Sequence, residues 1–364
     1  MKLTIEQPKL ASSLAKVLGV IEKRNTIPIL GNVVISADGG MITLRGTDLD
    51  IDSVVEIDAD IASEGICTAR ADMLHGIVRR LPKGALINLE HQDDILRVTS
   101  GRSDFSLSTL PADDVPTMRA LEYEDGFTVP VSEFAEMLDM TAFAMSSEET
   151  RYYLNGVYLH SSEGKARLVA TDGHRLSLID STIEYTGKGA IIPRKTVLEL
   201  RKILNDATGD LKVSISEHSL KFELDGAEIV TKAIDGSFPD YTRVIPTGND
   251  KRLIVNADEV KSAAARVAEV ATDRTRAVRI EAEGDTLTLQ VNGAGGDVAK
   301  EVVDCQYDDE HIVLGVNAKY LAECLTACGS TDIEMIMQDS GSPVIIRPCG
   351  NDDVTIVQMP MRLQ

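Results

Sequence analysis

The side chains most suggestive of acid–base chemistry in this sequence are Asp172 and His174, in the segment TDGHR. A histidine beside a carboxylate can move protons near neutral pH. A catalytic pair also needs a reacting group, and the only nucleophiles near His174 in the sequence are ordinary serines and threonines. An enzyme that uses His174 is therefore kept as an alternative without a second supporting motif.

Two other patterns could hold a ligand. The segment NGAGGD (292–297) has the glycines of a phosphate-binding loop, but it lacks GK[ST] and does not precede a helical pattern. Its position between TLTLQV and VAKEVV predicts a hairpin turn. Cys324 and Cys328 have the spacing of two metal ligands, but no histidine or further cysteine is close in sequence, which favours core packing. The sequence predicts no catalytic residue, metal or cofactor.

A basic helical stretch is the strongest sign of a binding surface. Residues 191–204, IIPRKTVLELRKIL, carry Arg194, Lys195, Arg201 and Lys202 against one Glu199, although the chain has a formal net charge of -21. A local group of cations on so acidic a protein suits a polyanionic partner. The alternative is a helix face that the lysines and arginines merely keep solvated.

These residues belong to a pattern that repeats three times. A short strand, an amphipathic helix and then strands begin near residues 3–21, 127–145 and 253–271, at an offset of about 125 residues, and again near 67–81, 190–204 and 312–325. The predicted fold class is α+β, with three domains that each contain two strand–helix–strands units. Antiparallel sheets should bury one face under the helices. The predicted domains are 1–122, 123–249 and 250–364, separated by polar, Pro- or Gly-containing segments.

The charge differs between helices and the rest of the chain. We count about +3 for the predicted helical stretches 8–24, 70–83 and 194–204, about -3 for 131–144, and about 0 for 257–276 and 317–327. The helices together then carry about +6, and strands and loops carry about -27. This distribution favours a polyanion held on the helical side.

Composition excludes several other classes of protein. No apolar run approaches the roughly 20 residues of a membrane span, and the first residues lack the apolar core of a secretory signal, so we expect a cytoplasmic protein. Five scattered cysteines in 364 residues argue against a disulfide framework. With no tryptophan and 4% aromatic residues, a base-stacking single-strand binder is disfavoured.

Along its whole length the sequence resembles the bacterial sliding clamp family, the beta subunit of DNA polymerase III. The resemblance is carried by RNTIPILGN (24–32), FSLSTLPADDVP (105–116), ETRYYLNGVYL (149–159), ATDGHRL (170–176), FPDYTRVIP (238–246) and MPMRL (359–363). It implies a head-to-tail homodimer that forms a ring around double-stranded DNA, with helices on the inner face and sheets outside. It also implies a non-catalytic processivity role, in which the replicative polymerase subunit, the clamp loader ATPase and other proteins bind through a short peptide motif.

The resemblance assigns residues to three surfaces. The DNA side would contain Arg24, Arg79, Arg80, Tyr152, Arg194, Lys195, Arg201 and Lys202. The peptide pocket, between the second and third domains, would contain Arg151, Tyr153, Leu154, Thr171, Gly173, His174, Arg175, Leu176, Pro239, Arg243, Val244, Val357, Met359, Pro360, Met361 and Arg362. The dimer interface would contain Phe105, Leu107 and Val270. Glu269 stands where relatives often carry an apolar residue, and Asp104 where some carry a basic one, so we expect an altered set of ion pairs. A structural ring without nucleic acid remains the other alternative.

Overall fold

The computed structural model describes residues 1–22, 26–118, 122–271, 277–293 and 296–363. The chain forms two compact units. The first contains residues 1–135 and 192–234, and the second contains residues 136–191 and 235–364. The middle third of the sequence therefore contributes strands to both units.

Helices and strands alternate in the predicted order. Within the described residues the helices are α1 (Gln7–Leu18), α2 (Ala71–Val78), α3 (Val131–Ala142), α4 (Arg194–Asn205), α5 (Ala257–Ala268) and α6 (Ala318–Ala327). The strands of the first third are β1 (Lys2–Glu6), β2 (Asn32–Asp38), β3 (Met41–Thr47), β4 (Ile51–Asp58), β5 (Asp60–Ser63), β6 (Gly65–Arg70), β7 (Leu86–Gln92), β8 (Ile95–Ser100) and β9 (Ser103–Ser108). Those of the middle third are β10 (Asp125–Pro130), β11 (Gly156–Ser162), β12 (Lys165–Thr171), β13 (Arg175–Glu184), β14 (Ala190–Pro193), β15 (Asp210–Ile215), β16 (Ser219–Leu224) and β17 (Ala227–Lys232). Those of the last third are β18 (Lys251–Asn256), β19 (Ala277–Glu283), β20 (Thr286–Asn292), β21 (Val298–Tyr307), β22 (Ile312–Asn317), β23 (Asp332–Met337), β24 (Val344–Pro348) and β25 (Val354–Gln358).

The strands pair antiparallel and continue from one repeat into the next. In the first unit one sheet has the order β5-β1-β7-β8-β9, and a second has the order β10-β15-β16-β17-β4-β3-β2-β6. The third sheet has the order β14-β11-β12-β13-β25-β24-β23-β18-β21-β20-β19-β22. The last strand of the second repeat, β17, thus pairs with β4 of the first, and the last strand of the third repeat, β25, pairs with β13 of the second. Each repeat boundary is a shared antiparallel sheet.

Amphipathic spacing accounts for how the helices pack. The buried positions of α1 include Leu10, Leu14 and Val17, which lie on one helical face. In the third repeat both helices begin with an asparagine cap: the side-chain oxygen of Asn256 accepts from the amides of the second and third residues of α5, and Asn317 does the same for α6. α1 packs against α2, and α5 packs against α6.

Three predicted helices were too long, and this changes where their charge lies. Among the described residues, the stretches predicted at 8–24, 70–83 and 257–276 form helices over Gln7–Leu18, Ala71–Val78 and Ala257–Ala268. α2 ends before Leu81 because Pro82 disfavours helical backbone in the residue before it. Arg79, Arg80 and Lys83 therefore follow α2, whose own charged side chain is Asp72. The excess of positive charge on helices is smaller than predicted, and α4 is the helix that carries it most clearly.

α4 packs close to the C-terminal end of α1, where Gly19 has no side chain. A Cβ built on Gly19 would overlap the carboxylate of Glu199, and the Glu199 side chain is only 8% exposed. Glycine at 19 therefore leaves the space into which α4 places this carboxylate.

Gly19→Ala should destabilise the protein. Because the new methyl group and the Glu199 carboxylate cannot occupy the same space, we expect the free energy of unfolding to fall by about 1–3 kcal/mol. Urea denaturation measures the change. In a Glu199→Ala background the same substitution should cost about 1 kcal/mol less; equal costs in the two backgrounds would contradict this close approach.

The predicted core packing of the two neighbouring cysteines and the predicted hairpin between β20 and β21 are confirmed. Cys324 and Cys328 are buried in the core, and burial raises the pKa of the Cys328 thiol to about 12. The described residues contain no cluster of three or more metal-ligating side chains. The NGAGGD segment joins β20 to β21, with Asn292 opposite Val298. Among the described residues, no helix is long and apolar enough to cross a membrane.

Candidate nucleic-acid interface and peptide pocket

The first turn of α4 begins with two cations, which the helix itself does not favour. Arg194 and Lys195 are its first two residues, and no acidic residue occurs in that turn. The positive end of the helix dipole repels cations there. Placing them at this end costs stability unless their side chains find other partners.

The basic sequence pattern predicts that Lys195 faces a ligand, but its ammonium group has partners within the protein. Its ammonium group donates to the carbonyl of Val20 over 2.8 Å and forms an ion pair with Asp48. Glu22 lies 3.7 Å from the same ammonium group. These contacts offset the charge of Lys195 inside the first unit.

Toward the other end of α4, an exposed lysine is paired with a buried acid. Lys202 donates to Glu199 over 2.6 Å, while the Lys202 side chain remains 65% exposed. Arg201 is half-buried and Arg194 is exposed. Of the four α4 cations, Arg194 and Lys202 are thus the more exposed.

The other predicted DNA contacts lie outside α4. Arg79 and Arg80 are exposed just after α2, and Arg80 donates to the carbonyl of Gly76 over 2.8 Å. Cations stabilise a helix C-terminus, so these two arginines also have a structural explanation. Tyr152 is 55% exposed beside Tyr153. Arg24 lies outside the described residues. In the acidic helix α3, Glu136 and Asp139 are exposed.

The TDGHR segment forms a rigid turn between β12 and β13. The Thr171 hydroxyl donates to the carbonyl of Arg175 over 2.7 Å and accepts from the Gly173 amide over 3.1 Å. One oxygen of Asp172 accepts from the amides of His174 and Arg175 over 2.9 and 3.0 Å. Gly173 has φ +87°, a conformation that favours glycine. Asp172 thus holds the backbone around His174, which does not support its use as the partner of a catalytic histidine.

The Arg175 side chain links this turn to α6 and to the backbone of Phe143. It is only 7% exposed and forms ion pairs with Asp172, at 3.2 Å, and with Glu323 of α6. It also donates to the carbonyl of Phe143 over 2.8 Å. Its guanidinium lies 4.5 Å from the ring centroid of Tyr320. A buried cation with this many partners positions the exposed Gly173 and His174.

An apolar cluster lies beneath the turn. Val169, Leu176, Leu178, Tyr241 and Val357 are buried together, and Phe238 and Ile245 pack against them. The Tyr241 hydroxyl contacts His160 and Arg167 at 3.0 and 3.2 Å, which satisfies its polar end. Val244, three residues after Tyr241, is 36% exposed. An exposed apolar side chain, Val244, therefore lies close in sequence to this buried cluster.

The C-terminal segment lies beside the same turn. The Met359 amide donates to the carbonyl of His174 over 3.0 Å, and the Met361 amide donates to the carbonyl of Gly315 over 2.8 Å. Met359, Pro360 and Met361 are half-buried, while Arg362 is exposed. The predicted pocket residues that these contacts bring together are Thr171, Gly173, His174, Arg175, Leu176, Val357 and Met359.

Other predicted pocket residues lie at the edges of this group. Arg151 approaches the turn, since a Cβ on Gly173 would lie 3.0 Å from its guanidinium. Leu154, three residues after Arg151, is buried, and Tyr153 lies beside Gly236. Arg243 forms an ion pair with Asp240 at 2.8 Å, and Pro239 is exposed next to it.

Sequence reasoning missed two residues of this region. The Tyr320 ring stacks on His174 with centroids 5.8 Å apart. Val344, the first residue of β24, pairs with Gln358, which directly precedes Met359. Tyr320 could be noticed in the sequence as an aromatic residue three positions after the Asn317 cap. No sequence pattern, however, connects α6 to TDGHR.

Tyr320→Ala should weaken binding of an apolar peptide to this region. The substitution removes the ring that supports both His174 and Arg175, and we expect about a 5- to 30-fold increase in the dissociation constant. Fluorescence anisotropy with a labelled peptide measures it. Tyr320→Phe keeps the ring and should bind like the parent protein; equal losses in the two variants would contradict a role for stacking.

The predicted dimer contacts lie in two places. Phe105 and Leu107 belong to β9, at the edge of its sheet, where Phe105 is 36% exposed and Leu107 is 6% exposed. Val270 is half-buried just after α5, and Glu269 beside it is exposed.

Comparison with known proteins gives a consistent family. Residues 1–119, 128–240 and 242–362 match the N-terminal, central and C-terminal domains of the DNA polymerase III beta subunit. The chain is 39% identical to the beta sliding clamp of Caulobacter vibrioides over 372 residues and 35% identical to that of Escherichia coli over 366 residues, with both chains covered completely. A crystal structure of a Bartonella birtlesii sliding clamp bound to griselimycin has a TM-score of 0.95 at 38% identity, again with 100% of both chains covered.

Proposed function

The chain belongs to the DNA polymerase III beta subunit family of sliding clamps, and on that premise we propose that two copies close head to tail around duplex DNA. The ring would tether the replicative polymerase during DNA synthesis in the cytoplasm. The observation that carries this proposal is the way the repeats join. The last strands of the second and third repeats each complete the sheet of the preceding repeat, whereas β9, the last strand of the first repeat, stands at a sheet edge.

A second free edge complements β9. Among the described residues, β21 pairs with β18 only at Cys305–Tyr307, so Val298–Asp304 have β20 as their single strand neighbour. Val298 and Val302 on this stretch are 61% and 55% exposed. Exposed apolar edges invite pairing with another chain. A head-to-tail pair of subunits joins the two different edges twice and closes the ring.

The cations of α4 suit contact with the phosphate backbone. Phosphate contacts carry no sequence information and exchange readily with counterions, which lets a protein move along DNA. Base contacts discriminate by about 1–3 kcal/mol each and would hold the ring at preferred sequences. Persistence on DNA would then come from the closed ring. The proposed role needs no catalytic residue.

The pocket region suits a short apolar peptide. Half-buried Met359 lies beside the turn that Arg175 positions, Met361 follows two residues later, and flexible thioethers adapt to related ligands. We propose that the polymerase subunit, the clamp loader and other partners bind here through a shared motif.

Analytical ultracentrifugation tests the assembly. At micromolar concentration the protein should sediment with twice the chain mass of 39.4 kDa. A monomer under these conditions would contradict the proposal.

A further inference from the structure

The three repeats share one register across their sheets. In each, a row of directly opposed residues crosses to the last strand. The rows are Leu3–Leu89–Val98–Phe105, Phe127–Val213–Phe222–Ile229 and Leu253–Met335–Ile346–Ile356. Phe105, Ile229 and Ile356 therefore occupy equivalent positions.

The strands at the other side of each junction, with which the last strand of another repeat can pair, also share one register. Their rows are Val34–Arg45–Val54, Tyr158–Val169–Leu178 and Arg279–Gln290–Lys300. Each row begins four residues before the end of a strand that a two-residue hairpin turn follows. Val54, Leu178 and Lys300 are thus equivalent. The residues directly before them in the chain are equivalent too, and they are all small: Ser53, Ser177 and Ala299.

The two junctions inside the chain use the same pairing. Ile229 lies opposite Ser53, and Ile356 lies opposite Ser177, so each junction sets a large apolar side chain against a small residue. Both isoleucines are 0% exposed. Their equivalent in the first repeat, Phe105, is 36% exposed, and no described strand of another repeat pairs with β9. The third small residue, Ala299, lies on the exposed edge of β21.

We infer that β9 pairs with β21 of a second copy in this same register. Phe105 then lies opposite Ala299 of the partner subunit, and Asp104 lies opposite Lys300 of the partner subunit. This inference rests on the proposed ring and specifies how its subunits recognise each other. Antiparallel residues directly opposite each other bring their side chains within about 4.5–5.5 Å, close enough for an ion pair.

The opposed charges are particular to the junction between subunits. At the equivalent position the internal junctions pair Glu228 with Val54 and Thr355 with Leu178. Neither of those pairs joins opposite charges. An ion pair at the third junction therefore distinguishes joining another subunit from the pairing used within the chain.

Charge reversal at Asp104 and charge reversal at Lys300 should differ in their effect, because Asp104 has a second cation beside it. Arg97 donates to Asp104 through its Nε over 2.9 Å, and both side chains are about half exposed. Among the described residues, Lys300 has no ion-pair partner. Asp104→Lys would bring the new ammonium group against Arg97 as well as the partner's Lys300, so three cations would meet. Lys300→Asp would set two carboxylates together with Arg97 still beside them, which is the milder change.

Charge reversal tests the register. We expect Asp104→Lys to raise the dimer dissociation constant about tenfold per junction, or about 100-fold for a ring with two junctions, and Lys300→Asp to raise it less. Sedimentation across a dilution series measures both. Asp60→Lys, an exposed acid on the opposite edge strand of the same sheet, is the matched control and should dimerise like the parent protein.

Mixing the two variants gives the sharpest result. In a mixed ring one junction joins the two substituted residues, acid to base, and the other joins the original Asp104 and Lys300. An equimolar mixture should therefore recover dimers at concentrations where each variant alone is monomeric, and the double variant should behave like the parent protein. If both single variants dimerise normally, or if the mixture stays monomeric, the register is wrong. A parent protein that is itself a monomer would instead overturn the proposed ring.

Discussion

Arg175→Ala is expected to lower the free energy of unfolding by about 3 kcal/mol and to weaken peptide binding by about 100-fold. The substitution leaves Asp172 without one of its charged partners and removes the link to Glu323 and to the carbonyl of Phe143. Glu323 is 35% exposed, so water offsets part of its loss. The turn that carries Gly173 and His174 should then lose its fixed position.

Urea denaturation and peptide anisotropy measure these two effects separately. Arg175→Lys keeps one positive charge but cannot bond to three partners at once, so it should fall between the parent protein and Arg175→Ala. Normal peptide affinity in a folded Arg175→Ala protein would contradict the positioning role.

Replacing Arg194 and Arg201 together with glutamine should weaken binding to duplex DNA by about 100-fold at low salt. A ring of two such subunits lacks four cations. If all four meet phosphates, the slope of log affinity against log salt should become shallower by about 3.6. Binding to short duplexes at several salt concentrations measures both quantities.

Two further variants separate DNA contact from structure. Lys212→Gln removes a strand cation that is paired with Glu223 at 3.1 Å, and it should leave the salt dependence unchanged. Lys195→Gln should lower stability more than DNA affinity, because its ammonium group contacts Val20 and Asp48. An unchanged salt slope in the double arginine variant would show that α4 does not face the phosphates.

The sequence predicted the repeat because its signals are local. The apolar spacing in α4 and α6 placed both helices within one residue of their ends. The same method extended α2 too far, since Arg79, Arg80 and Lys83 continue a helical pattern that Pro82 interrupts. Local periodicity is a weak guide to where a helix ends.

The features missed depend on contacts between distant parts of the chain. Lys195 belongs to a basic pattern, but its ion pair with Asp48 joins residues 147 positions apart. Tyr320 contacts His174 only because α6 and β13 are neighbours in the folded chain. The equivalence of Phe105 with Ile229 and Ile356 required the pairing of every strand between them. The sequence marked Phe105 through family resemblance alone.

Retention on circular DNA tests the central claim most directly. The protein is loaded onto nicked circular plasmid with a bacterial clamp loader and ATP, separated from free protein, and the plasmid is then cut once. A closed ring should stay on the intact circle and slide off the linear molecule. Equal retention on both forms would indicate ordinary DNA binding, and no retention on the circle would favour a ring or scaffold without nucleic acid; either result would contradict the account.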